Sequence, residues 1–184
     1  MPEEGFATTT RALGGSSVAL GAPTLADAPA VCELVANSQV LDANSLYCYL
    51  LLCRDFSDTC VVARVGSALA GFVTSYRPPA RADTVFIWQI GVAEGFRRQG
   101  IAKRLLRALL SRPSCRSVRY LEATVTPSNA ASQRLFQKLA DDLEVPIRVE
   151  REFTAEMFGG GNHEEELRIR IGPLADKGKE SLPK

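Results

Sequence analysis

One stretch, Thr84–Ala102 (TVFIWQIGVAEGFRRQGIA), constrains the fold of this chain more than any other. Its first half, Thr84–Val92, is mostly β-branched and apolar, which predicts an interior strand buried on both faces. Gly95 and Gly100 then lead into a segment whose apolar residues recur at helical spacing. A strand, a basic glycine-containing turn and a helix start together form an anion site, because the helix N-terminus presents N–H groups and a positive dipole end.

The turn itself carries two arginines close to the second glycine. Arg97 and Arg98 supply formal positive charge, and Gly100 allows the backbone to approach a ligand closely. A Walker loop is excluded because no Gly-Lys-Ser/Thr follows, and the three-glycine dinucleotide fingerprint does not match either. The turn is therefore either a phosphate-binding turn of another class or a solvated basic surface.

The composition is that of an ordinary soluble domain of 184 residues, with 46% hydrophobic and 23% charged residues. The 22 basic and 21 acidic residues nearly balance, which gives no electrostatic case for a nucleic acid or a membrane as partner. The N-terminus lacks the apolar core of a signal peptide. Five cysteines without a CxxC pair and a single histidine, His163, do not support a metal site. We expect reduced, mostly buried thiols in a cytoplasmic protein.

The domain organisation is predicted to be simple. Residues 17–172 form a single domain, and the segments 1–16 and 173–184 are flexible tails, because neither tail shows hydrophobic periodicity. The domain contains no internal repeat.

Periodicity predicts an edge strand at Ser17–Gly21 and a helix from Thr24, its N-cap, to about Asn37. A second helix follows, capped by Asp42 or Asn44. The later predicted strands are Thr59–Val65, Ala68–Tyr76, Thr84–Val92, Val118–Val125, Pro146–Glu152 and Glu166–Ile171, with helices after Gly100 and after Asn129.

This order of elements, combined with Arg97-x-x-Gly100-x-Ala102, resembles the GCN5-related N-acetyltransferases (GNAT). The resemblance implies an α/β (α+β) fold with a mixed, mostly antiparallel central sheet flanked by helices. It also implies that the turn binds the diphosphate of acetyl-coenzyme A. The cofactor-binding residues implied are Ile90, Val92, Arg97, Arg98, Gln99, Gly100, Ile101, Ala102, Asn129 and Phe136.

One position departs from the superfamily pattern. An Asn at the position of Asn129 commonly contacts the pantetheine arm, and seven residues later a Tyr often protonates the departing thiolate. Phe136 occupies that second position here and has no proton to give. The general acid is therefore left unassigned, and a non-catalytic acyl-coenzyme A sensor is the alternative that this residue favours.

Four blocks resemble a narrower family, the L-2,4-diaminobutyrate acetyltransferases of ectoine biosynthesis. They are LDANSLYCYLLLC (41–53), FIWQIGV (86–92), YLEATVTPSNAASQRLF (120–136) and GGGNHEEELRIRIGP (159–173). This resemblance implies transfer of acetyl from acetyl-coenzyme A to the side-chain (N4) amine of the diamino acid, by a cytoplasmic, homodimeric enzyme without a metal. Another small diamine or a protein amine is the alternative acceptor.

Such an acceptor carries two ammonium groups and one carboxylate, so its pocket needs anionic and aromatic partners. The substrate-binding candidates are Asp42, Tyr47, Trp88, Glu164 and Glu166. Each has a structural alternative: Asp42 caps a helix, the aromatic residues are core or interface residues, and the acidic run is a solvated face. We expect Asp42 and Trp88 to face one cavity. His163 is interpreted as a loop-fixing residue rather than a base.

The chemistry requires a proton acceptor, because an amine with a pKa near ~10 is almost wholly protonated at neutral pH and cannot attack a thioester. Glu122 and the acidic late loop are the candidate catalytic carboxylates, and an outward-facing strand residue is the equal alternative for Glu122. Backbone N–H groups around Ile90–Val92 are predicted to stabilise the oxyanion.

Overall fold

The structure is a computed structural model that describes residues 8–11, 17–38, 40–159 and 163–175. In this part of the chain the strands and helices are β1 (Thr8–Arg11), β2 (Ser17–Gly21), α1 (Ala28–Ala36), α2 (Leu46–Asp55), β3 (Val61–Val65), β4 (Ala68–Tyr76), β5 (Thr84–Val92), α3 (Ile101–Leu110), β6 (Tyr120–Val125), α4 (Ala130–Leu143), β7 (Ile147–Phe153) and β8 (Glu166–Ile171). None of the described helices is both long and apolar enough to cross a membrane.

The chain divides into two compact units. The first contains the residues up to Tyr76 and Gln89–Ser114, and the second contains Arg77–Trp88 and the residues from Cys115 onward. Neither unit is a continuous segment, and β5 contributes residues to both. The units are therefore not two domains that follow one another along the chain, and the single domain expected from the sequence stays a prediction.

The sheet of the first unit contains one strand that the sequence did not indicate. Thr8–Arg11 pairs antiparallel with Ser17–Gly21, for example Thr9 opposite Ala19. The flexible tail predicted for residues 1–16 is wrong at these four positions, because three consecutive β-branched threonines favour a strand once a partner strand is present. Ser17–Gly21 is consequently not an edge strand, since β1 lies on one side of it and β3 on the other.

The starts of the first two helices depend on short polar side chains. Thr24 and Asp27 form a capping box at a 3₁₀ turn, Leu25–Asp27, and α1 follows directly. Ser45 caps α2, because its backbone is extended and its hydroxyl accepts a hydrogen bond from the Cys48 N–H at 3.3 Å. The predicted caps, Asp42 and Asn44, are therefore wrong, and the role of Asp42 in substrate binding stays a prediction.

The core of the first unit lies between α1, α2 and the sheet. Its fully buried members include Val31 and Val35 of α1, Tyr49 of α2, and Phe72 of β4. The five cysteines are free thiols, as the sequence predicts. Burial raises the pKa of Cys60 to about 12, so this thiol stays protonated and behaves as a small apolar side chain.

Strand β5 has the predicted bounds but not the predicted burial. Val85, Ile87 and Gln89 are buried, whereas on the other face Phe86, Ile90 and Val92 are only half-buried and Trp88 is 46% exposed, with Thr84 alone buried at the start of the strand. Since successive side chains of a strand point to opposite faces, only one face of β5 is closed off from solvent. The prediction of an interior strand buried on both faces is wrong for this reason.

The second unit contains β6, β8 and β7 in that order, beginning from the first half of β5. Thr84–Ile87 pairs parallel with Tyr120–Ala123, and the pairings of β6 with β8 and of β8 with β7 are antiparallel. The mixed, mostly antiparallel sheet flanked by helices is thus confirmed. Glu144, with a left-handed φ of 55°, ends α4.

Candidate active site

The candidate phosphate-binding turn lies in the first unit, between the end of β5 and α3. Arg97 has an extended backbone, Arg98 has a positive φ of 62°, and Gly100 is left-handed, with φ 74°. The Arg97 Nε atom donates to the Val92 carbonyl at 3.2 Å, which holds the turn against the end of the strand. Gln99 Nε2 similarly donates to the Gly95 carbonyl at 3.3 Å. The geometry of the turn thus comes from neighbours within five positions in the sequence.

This turn fits a diphosphate. A Cβ added at Gly100 would meet no heavy atom within 4 Å, so the space in front of the helix start is open. The first N–H groups of an α-helix have no intrahelical partner, and the dipole of α3 adds positive potential there. The predicted residues Arg97 to Ala102 are therefore brought together in one compact donor set. Ile90 and Val92 lie half-buried at the end of the adjacent strand, and their oxyanion role stays a prediction.

The segment between α1 and α2 contains Asp42 and lies over β5. A Cβ at Gly91 would come within 3.3 Å of Leu41 and 3.0 Å of Leu34, so the missing side chain makes room for these residues. The Asp42 carbonyl accepts hydrogen bonds from Gln89 Nε2 at 2.8 Å and from Asn44 Nδ2 at 3.3 Å. The main chain of Asp42 is thus held by Gln89 of β5, which lies 47 positions away in the sequence.

The two candidate aromatic residues are exposed, each within its own unit. Tyr47, in the first turn of α2, is 68% exposed, and Trp88 of β5 is 46% exposed. The alternative that they are core residues is wrong for both. Substrate binding by either ring stays a prediction, as does the cavity that we expected Trp88 to share with Asp42.

In the second unit, the candidate cofactor residues Asn129 and Phe136 belong to α4. Asn129 is the N-cap of the helix, and its Oδ1 accepts from the Ser132 N–H at 3.1 Å. Phe136 is only 2% exposed and packs in the core. Asn129 therefore caps the start of α4. The burial of Phe136 indicates that this side chain stabilises the core of the protein.

The late loop is attached to the start of α4. The Glu164 carboxylate accepts hydrogen bonds from the Ser128 hydroxyl and, at 3.3 Å, from the Ser128 N–H. The alternative of a purely solvated acidic face is therefore wrong for Glu164. Glu166, the other predicted acid, is half-buried at the first position of β8.

His163 is fixed in orientation by two neighbours. Its ring stacks on Phe158 with 3.9 Å between centroids and 19° between planes. Its Nδ1 lies 2.7 Å from the Glu164 carbonyl, which can only accept, so Nδ1 carries the proton. These contacts support the loop-fixing interpretation.

Glu122 is fully buried on β6, so the alternative of an outward-facing strand residue is wrong. One carboxylate oxygen accepts from Arg81 Nη2 at 3.0 Å, and the other accepts from Arg170 Nη1. The Arg170 guanidinium also lies over the Tyr120 ring at 3.7 Å from its centroid. Glu122 thus links β6, β8 and the segment before β5, a task that the sequence did not reveal.

Sequence reasoning missed one buried polar residue that contacts a candidate, Gln89, which binds the Asp42 carbonyl. It is 7% exposed and stands in the otherwise apolar run FIWQIGV. A buried amide must find hydrogen-bond partners, so a lone glutamine in an apolar strand was the available signal.

Comparison with known proteins places these observations in a family. A sequence model of the Acetyltransferase (GNAT) family matches residues 29–140. An L-2,4-diaminobutyric acid acetyltransferase from Marinococcus halophilus is 51% identical over 86% of this chain and 91% of its own length. A second such enzyme, from Halalkalibacterium halodurans, is 48% identical over 86% of this chain and 84% of its own length. The chain belongs to the GNAT family of acetyltransferases.

Among solved structures, diaminobutyrate acetyltransferase EctA from Paenibacillus lautus resembles this chain with a TM-score of 0.84. It is 42% identical, the match covers 86% of this chain and 96% of that one, and it was solved with its substrate L-2,4-diaminobutyric acid and coenzyme A. Ard1 from Thermoplasma volcanium, 18% identical with a TM-score of 0.68 over 86% of this chain and 99% of its own, shares the fold.

Proposed function

We propose that this protein transfers the acetyl group of acetyl-coenzyme A to the side-chain (N4) amine of L-2,4-diaminobutyrate, a step of ectoine biosynthesis. The observation that carries the proposal is the match to the Paenibacillus lautus enzyme, which binds this diamino acid and coenzyme A and aligns with nearly its whole length. The turn from Arg97 to Ala102 supports the same conclusion, since its guanidinium groups and helix start suit a diphosphate.

The reaction joins the amine nitrogen to the carbonyl carbon of the thioester and breaks the carbon–sulfur bond. The ammonium of the acceptor first gives up a proton to a base, and the departing thiolate later takes one up, so protons and charge balance. Coenzyme A supplies the thioester, and the protein supplies orientation, a proton acceptor and donors for the oxyanion.

Among the candidate carboxylates, Glu122 is committed to two guanidinium groups, and Glu164 is committed to Ser128. We therefore assign Glu122 to holding the sheet. Glu166 of β8, with Glu164 as second choice, is the acid that we propose for the acceptor amine, and the proton acceptor is left unassigned. In the first unit, Asp42 pairs with an ammonium group of the acceptor, and Tyr47 offers a ring face to it. Trp88 of the second unit stays a predicted substrate contact.

The test is a free-thiol release assay with acetyl-coenzyme A and a panel of amines. We expect 2,4-diaminobutyrate to be the best acceptor, ahead of 2,3-diaminopropionate, ornithine, lysine and a peptide amine, with NMR of the product locating the acetyl group on the side-chain nitrogen. Preference for a peptide, or acetylation of the α-amine, would contradict the proposal.

Phe136 is compatible with one alternative function, that of an acyl-coenzyme A sensor that binds the cofactor but does not turn it over. Its ring is buried in the core and has no proton to donate. Calorimetric binding of coenzyme A without thiol release from any amine would favour the sensor, whereas turnover excludes it.

We also propose a cytoplasmic homodimer, as the resemblance to the diaminobutyrate acetyltransferases implies. In the second unit, the exposed apolar side chains Val149, Phe153, Met157 and Phe158 are candidates for the subunit contact. Light scattering after size-exclusion chromatography should give twice the chain mass of 19.9 kDa. A monomer at micromolar concentration would contradict this part of the proposal.

A further inference from the structure

Gln89 makes hydrogen bonds through both ends of its side-chain amide. Its Nε2 donates to the Asp42 carbonyl at 2.8 Å, and its Oε1 accepts from the Tyr49 hydroxyl at 3.0 Å. The orientation of the amide follows from chemistry, since a backbone carbonyl can only accept and must therefore face the NH₂ group. The Tyr49 hydroxyl must then be the donor of the second bond.

The backbone of Gln89 is fixed as well. The Thr74 hydroxyl of β4 donates to its carbonyl at 3.3 Å. Tyr49 is fully buried in the core, and burial raises the pKa of its phenol, so the hydroxyl keeps the proton that it donates. Strand, helix and glutamine form one rigid assembly, to which the Asp42 carbonyl is attached.

The segment that carries Asp42 has little regular structure of its own. Between α1 and α2, the Ser38 hydroxyl accepts hydrogen bonds from the Val40 and Leu41 N–H groups, at 3.2 and 3.3 Å, and Asn44 Nδ2 donates to the Asp42 carbonyl. Leu41 packs over Gly91, two residues beyond Gln89 on the same face of β5. Two residues of β5 therefore contact this segment: Gln89 binds the Asp42 carbonyl, and Gly91 leaves room for Leu41.

We infer that Gln89 is a positioning residue for the acceptor amine, because it holds the Asp42 main chain where the carboxylate pairs with an ammonium group. This inference rests on the proposed function, which gives Asp42 that pairing. Gln89 does not touch the acceptor itself; it acts through Asp42.

The experiment compares the Michaelis constants of both substrates in the full-length enzyme and its variants. Gln89→Met keeps the length of the side chain and removes both amide contacts. We expect the Michaelis constant of diaminobutyrate to rise roughly 5- to 20-fold, with that of acetyl-coenzyme A unchanged, because one buried hydrogen bond to the segment is lost. Thr74→Val is the matched control, since it removes a buried hydrogen bond to the same residue without touching Asp42; it should lower the melting temperature only.

A double-mutant cycle separates positioning from a general loss of structure. In an Asp42→Asn background the ammonium pairing is already lost, so Gln89→Met should add little to the Michaelis constant of diaminobutyrate. Full additivity of the two substitutions would overturn the inference, as would an unchanged acceptor Michaelis constant in Gln89→Met. Turnover of diaminobutyrate by the wild-type enzyme tests the proposed function by itself, so the two failures are distinguishable.

A second measurement covers the case in which Gln89→Met does not fold. Tyr49→Phe removes the hydroxyl that orients the amide and that also interacts with Asn44 of the same segment, and it should raise the acceptor Michaelis constant by a smaller factor, roughly 2- to 5-fold. Hydrogen exchange followed by mass spectrometry should show faster exchange in a peptide covering residues 40–45, with residues 46–55 of α2 unchanged. Equal protection of residues 40–45 in Tyr49→Phe and wild type, together with an unchanged Michaelis constant, would overturn the inference.

Discussion

The phosphate-binding turn and the candidate carboxylates are held in place by opposite means. The turn is stabilised by contacts four or five positions apart, such as Gln99 to Gly95. The carboxylate-bearing residues depend on contacts 36 to 48 positions apart: Glu164 to Ser128, Glu122 to Arg81, Asp42 to Gln89, and Glu122 to Arg170. A turn held in the first way is carried by a short motif, whereas carboxylates held in the second way are placed only in the folded protein.

This contrast predicts that substitutions in the two regions will have different effects. A change in the turn should weaken the binding of acetyl-coenzyme A and leave the fold intact, because few distant residues depend on it. A change at a long-range carboxylate should affect stability together with, or before, catalysis.

The largest expected effect is that of Glu122→Gln. Removing the charge leaves Arg81 and Arg170 facing a neutral amide. A fully buried pair broken in this way costs about 3–5 kcal/mol of unfolding free energy, and we expect about 2–3 kcal/mol here because Arg81 is 45% and Arg170 30% exposed. The melting temperature should fall by roughly 4–12 °C in a differential scanning calorimeter. Glu150→Gln is the control, since its pair with Arg168 is at the surface and should matter little. A stable variant that lost only turnover would instead identify Glu122 as the proton acceptor.

Next in size is the double substitution Arg97→Ala/Arg98→Ala. Loss of two charge-assisted contacts to the diphosphate should raise the Michaelis constant of acetyl-coenzyme A roughly 100-fold, with a much smaller change for the amine. The melting temperature should stay within a degree or two, because both residues are exposed. Arg107→Ala, on the same helix but beyond its first turn, should leave both constants near wild type. Unchanged cofactor affinity in the double variant would remove the turn from the site.

Two glycines of the turn, Gly100 and Gly95, provide a further test of its role in cofactor binding. Gly100 has φ 74°, where a side chain is strained by roughly 1–2 kcal/mol, and its Cβ would project into the space left for the cofactor. Gly100→Ala should therefore raise the Michaelis constant of acetyl-coenzyme A and lower the melting temperature by about 2–8 °C. Gly95 has no positive φ and an equally open Cβ position, so Gly95→Ala should change neither quantity appreciably. Equal effects at both positions would mean that the left-handed backbone at Gly100 is unimportant.

The smallest effect concerns Asp27, which combines a local cap with a distant partner. Burial opposes the charge of this carboxyl, but hydrogen bonds from Thr24 and the Arg64 guanidinium outweigh it and lower its pKa. A lowered pKa in the folded state gives stability that is fully present above the ordinary value of 3.8 and is lost as the pH falls through the folded value. Urea unfolding from pH 6 down to pH 2.5 should show this loss in the wild type and a flatter profile in Asp27→Asn. Parallel profiles would show that the pair contributes nothing.

The sequence by itself predicted most of what depends on neighbours along the chain. The bounds of Ser17–Gly21, Ala68–Tyr76, Thr84–Val92 and Glu166–Ile171 were predicted correctly, because alternation and β-branching are local properties. The turn before α3 was recognised for the same reason, since two arginines and a glycine at short spacing define its chemistry. Where a local signal had close competitors the prediction was wrong, as at α2, which Ser45 caps rather than Asp42 or Asn44.

Only the tertiary structure decided how the carboxylates are held. Nothing in the order of residues indicated that Glu122 meets Arg81 and Arg170, or that Gln89 binds the Asp42 carbonyl, because these partners become neighbours only through the pairing of strands and the packing of helices. The strand formed by Thr8–Arg11 likewise needed β2 beside it, since a four-residue strand has no ladder of its own. Local periodicity specifies elements, whereas the partners of a buried polar group are specified by the fold that surrounds it.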